Sequence, residues 1–416
     1  MRKIDTDSSM MWPNENAIKF DLNDFNDFLE WATDIGASDI ILEVGEPLCL
    51  KLDGNINEVS KRIIRPEELI IVLNEVYQPS AANEVGGANP LDFPYAILRS
   101  DDSILRFRVN VTACTGPNGS NDGFEIVLRT IPGTPPSHDD LGLEVEIMNT
   151  CEFKSGVILV TGPTGSGKST LLAAILRFLA ETKRKHIITY EAPIEFDLKS
   201  IPHRIAKVVQ TEIPTHVKNF ETGVANCLRR APDYLLVGEG RDRETIEGII
   251  RISNTGHLVY STVHTNDVAT TIPRMADEFQ NEAKTASAKL IDSMRMIIHQ
   301  RLEPKREGGR VALREFLLFN DDIRRHLQIC LTQDKDLTNE IKTLVRSDGQ
   351  SLVSDALAKF KSGDIDLTTY ARIVNEVGTA DDLKTVPEVI ESLYQNGSLT
   401  DDEHLEWKEE FNEYGK

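Results

Sequence analysis

The sequence has little of what would tie it to a membrane, to nucleic acid or to an oxidising compartment. Its five cysteines, Cys49, Cys114, Cys151, Cys227 and Cys330, form no C-x-x-C pair. They suggest neither a zinc site nor a disulfide framework, and buried or free thiols in a reducing compartment are the expectation. No stretch approaches the roughly 18 apolar residues of a spanning helix; Leu171–Ala180 is too short and contains Arg177. The first residues, Met-Arg-Lys-Ile-Asp-Thr-Asp-Ser-Ser, lack the apolar centre of a signal peptide. A cytoplasmic protein with no direct membrane insertion is therefore expected. Positive charge is also short. The chain has 46 Lys and Arg against 67 Asp and Glu, a formal net charge of −21, which argues against nucleic acid as the main partner. At 416 residues there is room for two or three domains, each with its own core.

What is present centres on one loop. Residues Gly162-Pro163-Thr164-Gly165-Ser166-Gly167-Lys168-Ser169 form a complete phosphate-binding motif. An apolar, β-branched run, Val157–Thr161, precedes it as a buried strand should. From Thr170 the chain is rich in strong helix formers. Strand, glycine loop and helix together make a mechanism. Glycines let backbone N–H groups curl toward phosphate oxygens, and the helix N-terminus adds its positive dipole end. Lys168 is expected to reach the β- and γ-phosphates, and Ser169 to hold Mg²⁺.

Three further segments end apolar strands in polar groups: Ile187–Glu195, with Glu191 and Glu195; Pro232–Asp242, with Glu239; and Thr255–Thr265, with His257 and His264 at its two ends. Nucleotide hydrolysis needs positioning, charge neutralisation and a group that orients water. Glu239 suits the Mg²⁺-bound or the attacking water, Glu191 is the other candidate for orienting water, and His264 could sense the γ-phosphate. For His257 a satisfied structural histidine accounts for the sequence as well as a ligand contact does. Upstream, Arg106 and Arg108 are two apart on one expected strand and face the same side, and Arg129 ends the next. A solvated basic face or a clamp on the γ-phosphate would both explain them.

Spacing and composition divide the chain as follows. Residues 1–15 read as disordered. Residues 16–131 read as a small α+β domain with a helix carrying Phe25, Phe28, Leu29 and Ala32, then strands around 38–44, 48–52, 105–112 and 123–130. The proline-rich 132–140 reads as a stiff linker. In 141–329, strands at 157–161, 186–190, 234–238 and 258–263 alternate with helices, which predicts a three-layer α/β core with a largely parallel sheet and ligands at the C-terminal strand ends. Residues 330–416 read as a helical tail, with a weak repeat in which Phe360 and Tyr394 each end a helix before a glycine.

Taken in order, these segments resemble the secretion ATPase family that includes PilT-like pilus-retraction motors and type IV secretion ATPases. The resemblance covers about residues 18–330. Gly162–Ser169 matches the family's Walker A box, Glu191–Glu195 its Asp box, Leu235–Glu239 its Walker B box and Thr255–His264 its His box. Ala37–Pro47 and Arg106–Asn110 look like its PAS-like N-terminal domain, and Gly309–Phe316 resembles the segment after its motor core. The Asp box usually reads Glu-Asp-Pro-x-Glu. Here Ala192 replaces the Asp, so Glu191 or Glu195 must carry the box.

The resemblance implies a RecA-like P-loop core preceded by a PAS-like domain, assembled as a homohexamer that hydrolyses ATP with Mg²⁺ between the two domains. It puts Arg106, Arg108 and Arg129 where that family places its arginine fingers. The family's four-cysteine zinc module and its Ala-Ile-Arg-Ala-Gly-Glu-Met-like box are missing. The long helical tail is most similar to the type IVB branch, represented by DotB and the conjugative TraJ. The implied function is an ATPase recruited to inner-membrane components of a type IVB, Dot/Icm-like secretion machine, which it drives in export or assembly. A pilus-retraction motor and a nucleotide-gated scaffold with little turnover are the alternatives.

Overall fold

Alternation of apolar and polar residues shapes the first part of the chain. The computed structural model describes residues 11–14, 19–52, 54–100, 104–120, 123–395, 401 and 404–405. Most of the expected disordered N-terminus, the second half of the tail repeat and the acidic C-terminus lie outside that range. The chain divides into two compact units, Met1–Thr134 with Glu195–Ser200, and Pro135–Ile194 with Ile201–Lys416.

In the first unit, helix α1 (Leu22–Asp34) begins at Asp21, whose side chain accepts from the N–H groups of Asn23 and Asp24. It buries Phe25, Phe28, Leu29 and Ala32, the helical-spacing set. Strands β1 (Asp39–Glu43), β2 (Pro47–Leu52) and β3 (Asn55–Ile63) follow, then helices α2 (Pro66–Val76) and α3 (Ala81–Gly86). Strands β4 (Leu91–Leu98), β5 (Ile104–Cys114) and β6 (Gly123–Ile131) complete an antiparallel sheet in the order β3-β2-β1-β6-β5-β4. Phe107, Val109 and Val111 of β5 are buried, and Arg108 and Asn110 between them are exposed, the mark of a sheet with one covered face. The edge strands β3 and β4 are additions to the sequence reading. Pro94 in β4 and the charged Glu58, Lys61 and Arg62 in β3 mask their strand character, but all are tolerated at an edge.

The second unit opens with helix α4 (Val145–Thr150), then strand β7 (Gly156–Thr161), helix α5 (Lys168–Thr182), strands β8 (His186–Glu191) and β9 (Lys207–Glu212), and helix α6 (Phe220–Cys227). Strand β10 (Tyr234–Val237), helix α7 (Arg243–Asn254), strand β11 (Leu258–Val263) and helices α8 (Thr271–Asp277) and α9 (Ala283–Ser293) come next. The hairpin β12 (Met294–Pro304) and β13 (Arg310–Leu318) closes the sheet, whose order is β13-β12-β7-β11-β10-β8-β9. All neighbours are parallel except β12 and β13. Every residue of β7, β10 and β11 is buried. Val157 and Leu159 join the core formed with α6–α9, while the alternate Ile158 and Val160 are equally buried, so both sheet faces are covered.

Three strands of this sheet, β9, β12 and β13, go beyond the sequence reading. Gly309–Phe316 is not a segment after the core: Arg310–Phe316 pair residue by residue with β12, making it the antiparallel edge of the core sheet. Helices α10 (Asp321–Thr332), α11 (Leu337–Asp348), α12 (Leu352–Lys361), α13 (Leu367–Val377) and α14 (Ala380–Gln395) follow. Helix α10 runs unbroken through residue 329 and gives Ile323 and Leu327 to the same core as the sheet. Between α12 and α13 the turn is as the repeat predicts. Phe360 is buried, Gly363 takes a left-handed φ of +81°, Ile365 is buried, and Asp366 caps α13 at Thr369 N.

Candidate phosphate-binding site at the strand ends

The loop between β7 and α5 is built on three left-handed glycines: Gly162 at φ +141°, Gly165 at +78° and Gly167 at +83°. A side chain is barred at Gly162 by space as well, because a Cβ there would lie 2.2 Å from the backbone oxygen of Gln300. The exposed loop tip is Pro163, Thr164 and Gly165; Ser169 and Thr170 are half-buried in the first turn of α5. Lys168 Nζ donates to the carbonyl oxygens of Gly162 and Pro163, both at 2.9 Å. Neutral carbonyls hold an ammonium more weakly than an anionic phosphate oxygen does, so the lysine is placed to exchange one for the other. Ser166 Oγ is buried with no hydrogen-bond partner among the described residues. An orphaned hydroxyl in a left-handed glycine loop at a helix N-terminus fits an anionic ligand.

The other strand ends line up beside this loop. Thr161 is in register with Val263, and Tyr190 with Val237 on the far side of β10. His264 is therefore one strand from the loop strand, Glu239 two and Glu191 three. At about 4.8 Å per strand that is roughly 5, 10 and 14 Å of lateral displacement. Glu239 is held by backbone on both sides. Gly238 N donates to Tyr190 O at 2.8 Å and Gly240 N to Thr262 O at 3.0 Å, and Thr262 Oγ1 donates to Gly238 O at 2.5 Å. Its carboxylate lies 3.7 Å from His264 Nε2 and 3.6 Å from Arg241 Nη1. Glu191 Oε1 accepts from Thr189 Oγ1 at 2.5 Å and Gln210 Nε2 at 3.1 Å.

Not every candidate joins them. His257 precedes β11, its carbonyl accepts from Gly156 N at 3.1 Å, and Thr255 Oγ1 lies 3.1 Å from its Nδ1. That puts it at the opposite edge of the sheet, a whole strand, on the order of 20 Å, from the loop. A parallel strand sends its two ends to opposite edges, so His257 stands at the edge away from this loop. Glu195 is exposed and opens the short segment Glu195–Ser200 that belongs to the first unit.

The three arginines also belong to the first unit. Arg108 on β5 stands opposite Arg129 on β6, so they share a face. Each arginine meets a carboxylate of its own unit: Arg106 with Asp197 at 3.1 Å, Arg108 with Asp92 at 2.7 Å and Arg129 with Asp39 at 2.8 Å. All three acids are ordinary ion-pair partners, and a phosphate would have to displace them.

Sequence reasoning missed three residues that brace the loop from the other side. On β12, His299 is in register with Thr161 and its Nδ1 lies 3.2 Å from Thr161 Oγ1. Burial pushes its imidazole down to about 4. Gln300 Nε2 donates to the Ser166 carbonyl at 2.7 Å, while Gln300 Oε1 accepts from Arg314 Nε at 2.9 Å. Arg314, 1% exposed, also reaches Glu144 at 3.2 Å and the carbonyls of Leu141 and Gly142, and its own N–H donates to Asp355 of α12 at 2.8 Å. A buried polar chain thus runs from the phosphate loop through β12 and β13 to the helical tail. Its signal in the sequence is His-Gln-Arg inside the otherwise apolar run Met296–Leu302.

Comparison with known proteins agrees with this arrangement. The family described as "Type II/IV secretion system protein" matches residues 20–376. The type IV pilus retractation ATPase PilT of Pseudomonas aeruginosa is 34% identical over 302 residues, covering 72% of this chain and 84% of that protein. The type IV pilus ATPase PilU of the same organism is 29% identical over 392 residues, covering 92% and 94%. Among solved structures, the Legionella pneumophila ATPase DotB superposes with a TM-score of 0.76 at 37% identity, covering 86% of this chain and 97% of DotB. The pilus retraction motor PilT with bound ADP gives 0.72 at 34% identity, covering 82% and 94%.

Proposed function

Because this chain belongs to the Type II/IV secretion system protein family, a family of ATP-hydrolysing secretion ATPases, we propose that it is the ATPase of a type IVB, DotB-like secretion machine. In this reading it works as a homohexamer recruited to inner-membrane secretion components, with a PAS-like first unit and a RecA-like second unit. The observation that carries the catalytic part is the shared strand edge, where the glycine loop, His264 and Glu239 follow one another on adjacent strands. The likeness to DotB over nearly all of that protein supports the choice of machine.

ATP is the substrate. Gly162, Pro163, Thr164, Gly165, Ser166, Gly167 and Thr170 cradle its phosphates, and Lys168 leaves two carbonyls to neutralise them. Ser169 and Glu239 would hold Mg²⁺, which supplies further neutralisation of phosphate charge. Glu239, tied to both neighbouring strands, orients the attacking water, with His264 beside it to hydrogen-bond the γ-phosphate. Glu191, one strand further out, supports this edge. Arg106, Arg108 and Arg129 serve as arginine fingers once released from their carboxylates.

Lys168→Ala is expected to lower steady-state ATP hydrolysis at least about 100-fold, read as phosphate release by the purified protein. Glu239→Gln is expected to bind ATP but retain it unhydrolysed. Undiminished turnover in Lys168→Ala would sink the catalytic reading.

Two other readings have an observation behind them. Likeness to PilT favours retraction of a pilus; pilin genes beside this one would support that, and secretion-channel genes would support export. Ala192, which offers no carboxylate, favours a scaffold that binds ATP and assembles with little turnover. Phosphate release measured alongside ring formation separates the two.

A further inference from the structure

Helices α10 and α11 are joined by the turn 333–336, and between them three different metal-ligating side chains converge. His326 and Cys330 are one turn apart on α10 and share a face. Glu340 comes from α11. His326 Nε2 lies 3.0 Å from Glu340 Oε2 and 3.4 Å from Cys330 Sγ. All three donor atoms fall within 4.8 Å of one another. Tetrahedral zinc, with bonds of about 2.0–2.3 Å, sets its ligand atoms roughly 3.3–3.6 Å apart. The imidazole is therefore already near tetrahedral spacing from both partners, and closing the set asks the Cys330 sulfur and the Glu340 carboxylate, no more than 4.8 Å apart, to approach by at most about 1 Å.

We propose that His326, Cys330 and Glu340 bind a Zn²⁺ ion that staples α10 to α11. A mixed sulfur, nitrogen and carboxylate-oxygen set suits zinc and disfavours the hard cations calcium and magnesium. Charge also balances: a thiolate and a carboxylate together neutralise the dication. Cys330 lies in the last turn of α10, where the helix dipole favours a cation. A water completes the coordination. Lys335 Nζ, 3.8 Å from the other oxygen of Glu340, steadies that carboxylate from outside.

Burial, and then the Glu340 carboxylate, push the Cys330 thiol up, so without metal it stays protonated near neutral pH. On coordination the S–H proton leaves to solvent as the S–Zn bond forms; the imidazole binds neutral, and no oxidant or reductant is involved. The site has a structural consequence. Ile323 and Leu327 of α10 and Leu337, Ile341 and Val345 of α11 belong to the core beneath the sheet, so the ion would fix the first two tail helices to the unit that carries the phosphate loop.

The test uses the full chain, free of nucleotide, with phosphine-reduced thiols. Co²⁺ titration is expected to give a near-ultraviolet thiolate-to-cobalt charge-transfer band that saturates at one ion per chain and is displaced by equimolar Zn²⁺. The band should vanish in Cys330→Ser and persist in Cys114→Ser. His326→Ala, a change at a half-exposed position, should weaken Zn²⁺ binding at least about 100-fold, since loss even of an outer-sphere partner costs about 10- to 100-fold. Zinc should raise the unfolding midpoint of the native chain and not that of His326→Ala. An identical cobalt spectrum in the native chain and Cys330→Ser, or equal zinc affinity in the native chain and His326→Ala, overturns the proposal.

Discussion

His299 shows how far one buried residue can be followed. Its folded imidazole is held at about 4 against an ordinary 6.5, so between those values the unfolded chain binds the proton and the folded chain does not. Its contribution to stability is therefore complete above about pH 6.5 and is lost as pH falls toward 4. At pH 4.5 the loss amounts to roughly 2–3 kcal/mol. His299→Gln keeps a group able to bond Thr161 and removes the titration. Urea unfolding at pH 7 and pH 4.5 is expected to show a smaller acid loss in the variant by about that amount; equal losses would refute the assignment. The local sequence shows His299 only as a polar break in an apolar run, and does not place it beside the phosphate loop. Lys168 and the three glycines, by contrast, were legible, because a phosphate loop is contiguous and its requirements are local.

At the scale of the element, the β12–β13 hairpin decides how the loop is held. Its central residues, Gln300 and Arg314, are polar and sit where an apolar pattern would place core, so pattern reading passes over them. They are tolerated because the side-chain donors and acceptor of Gln300 and Arg314 named above have partners. Gln300→Leu removes the donor to Ser166 and strands Arg314 Nε. A loss of about 1–3 kcal/mol in unfolding free energy is expected, together with weaker binding of a fluorescent ADP analogue as the loop loses its brace. Unchanged stability and affinity would show the bracing to be incidental. The same logic explains His257. Its segment was read correctly as a strand flanked by histidines, but only one end of a strand can face the loop.

For the whole molecule, each unit has its own core, one around Phe25, Phe28 and Ile126, the other around Val157, Leu235 and Val259. Unfolding is expected to depart from a single two-state transition. Arg314→Met should lower only the transition of the second unit, by about 3–5 kcal/mol, because it leaves Glu144 half-buried without its charge partner. Calorimetry would check this, and a uniform shift of all transitions would contradict it. Among the described residues no helix is long and apolar enough to cross a membrane, in line with the absence of long apolar runs.

The sequence by itself determined the phosphate loop, the strand-and-helix alternation behind it and the candidate acids, because spacing along the chain specifies them directly. It also read the first tail turn, through the glycine after Phe360 and the capping Asp366. Only the tertiary structure decided which strand lies beside which. Strand order is set by pairings between distant segments, and those pairings bring His264 and Glu239 to the loop, send His257 away and seat Gln300 under Ser166. They also bring Glu340 across to His326 and Cys330. A sequence without C-x-x-C pairs gave no hint of a metal, because those ligands meet only when two helices pack.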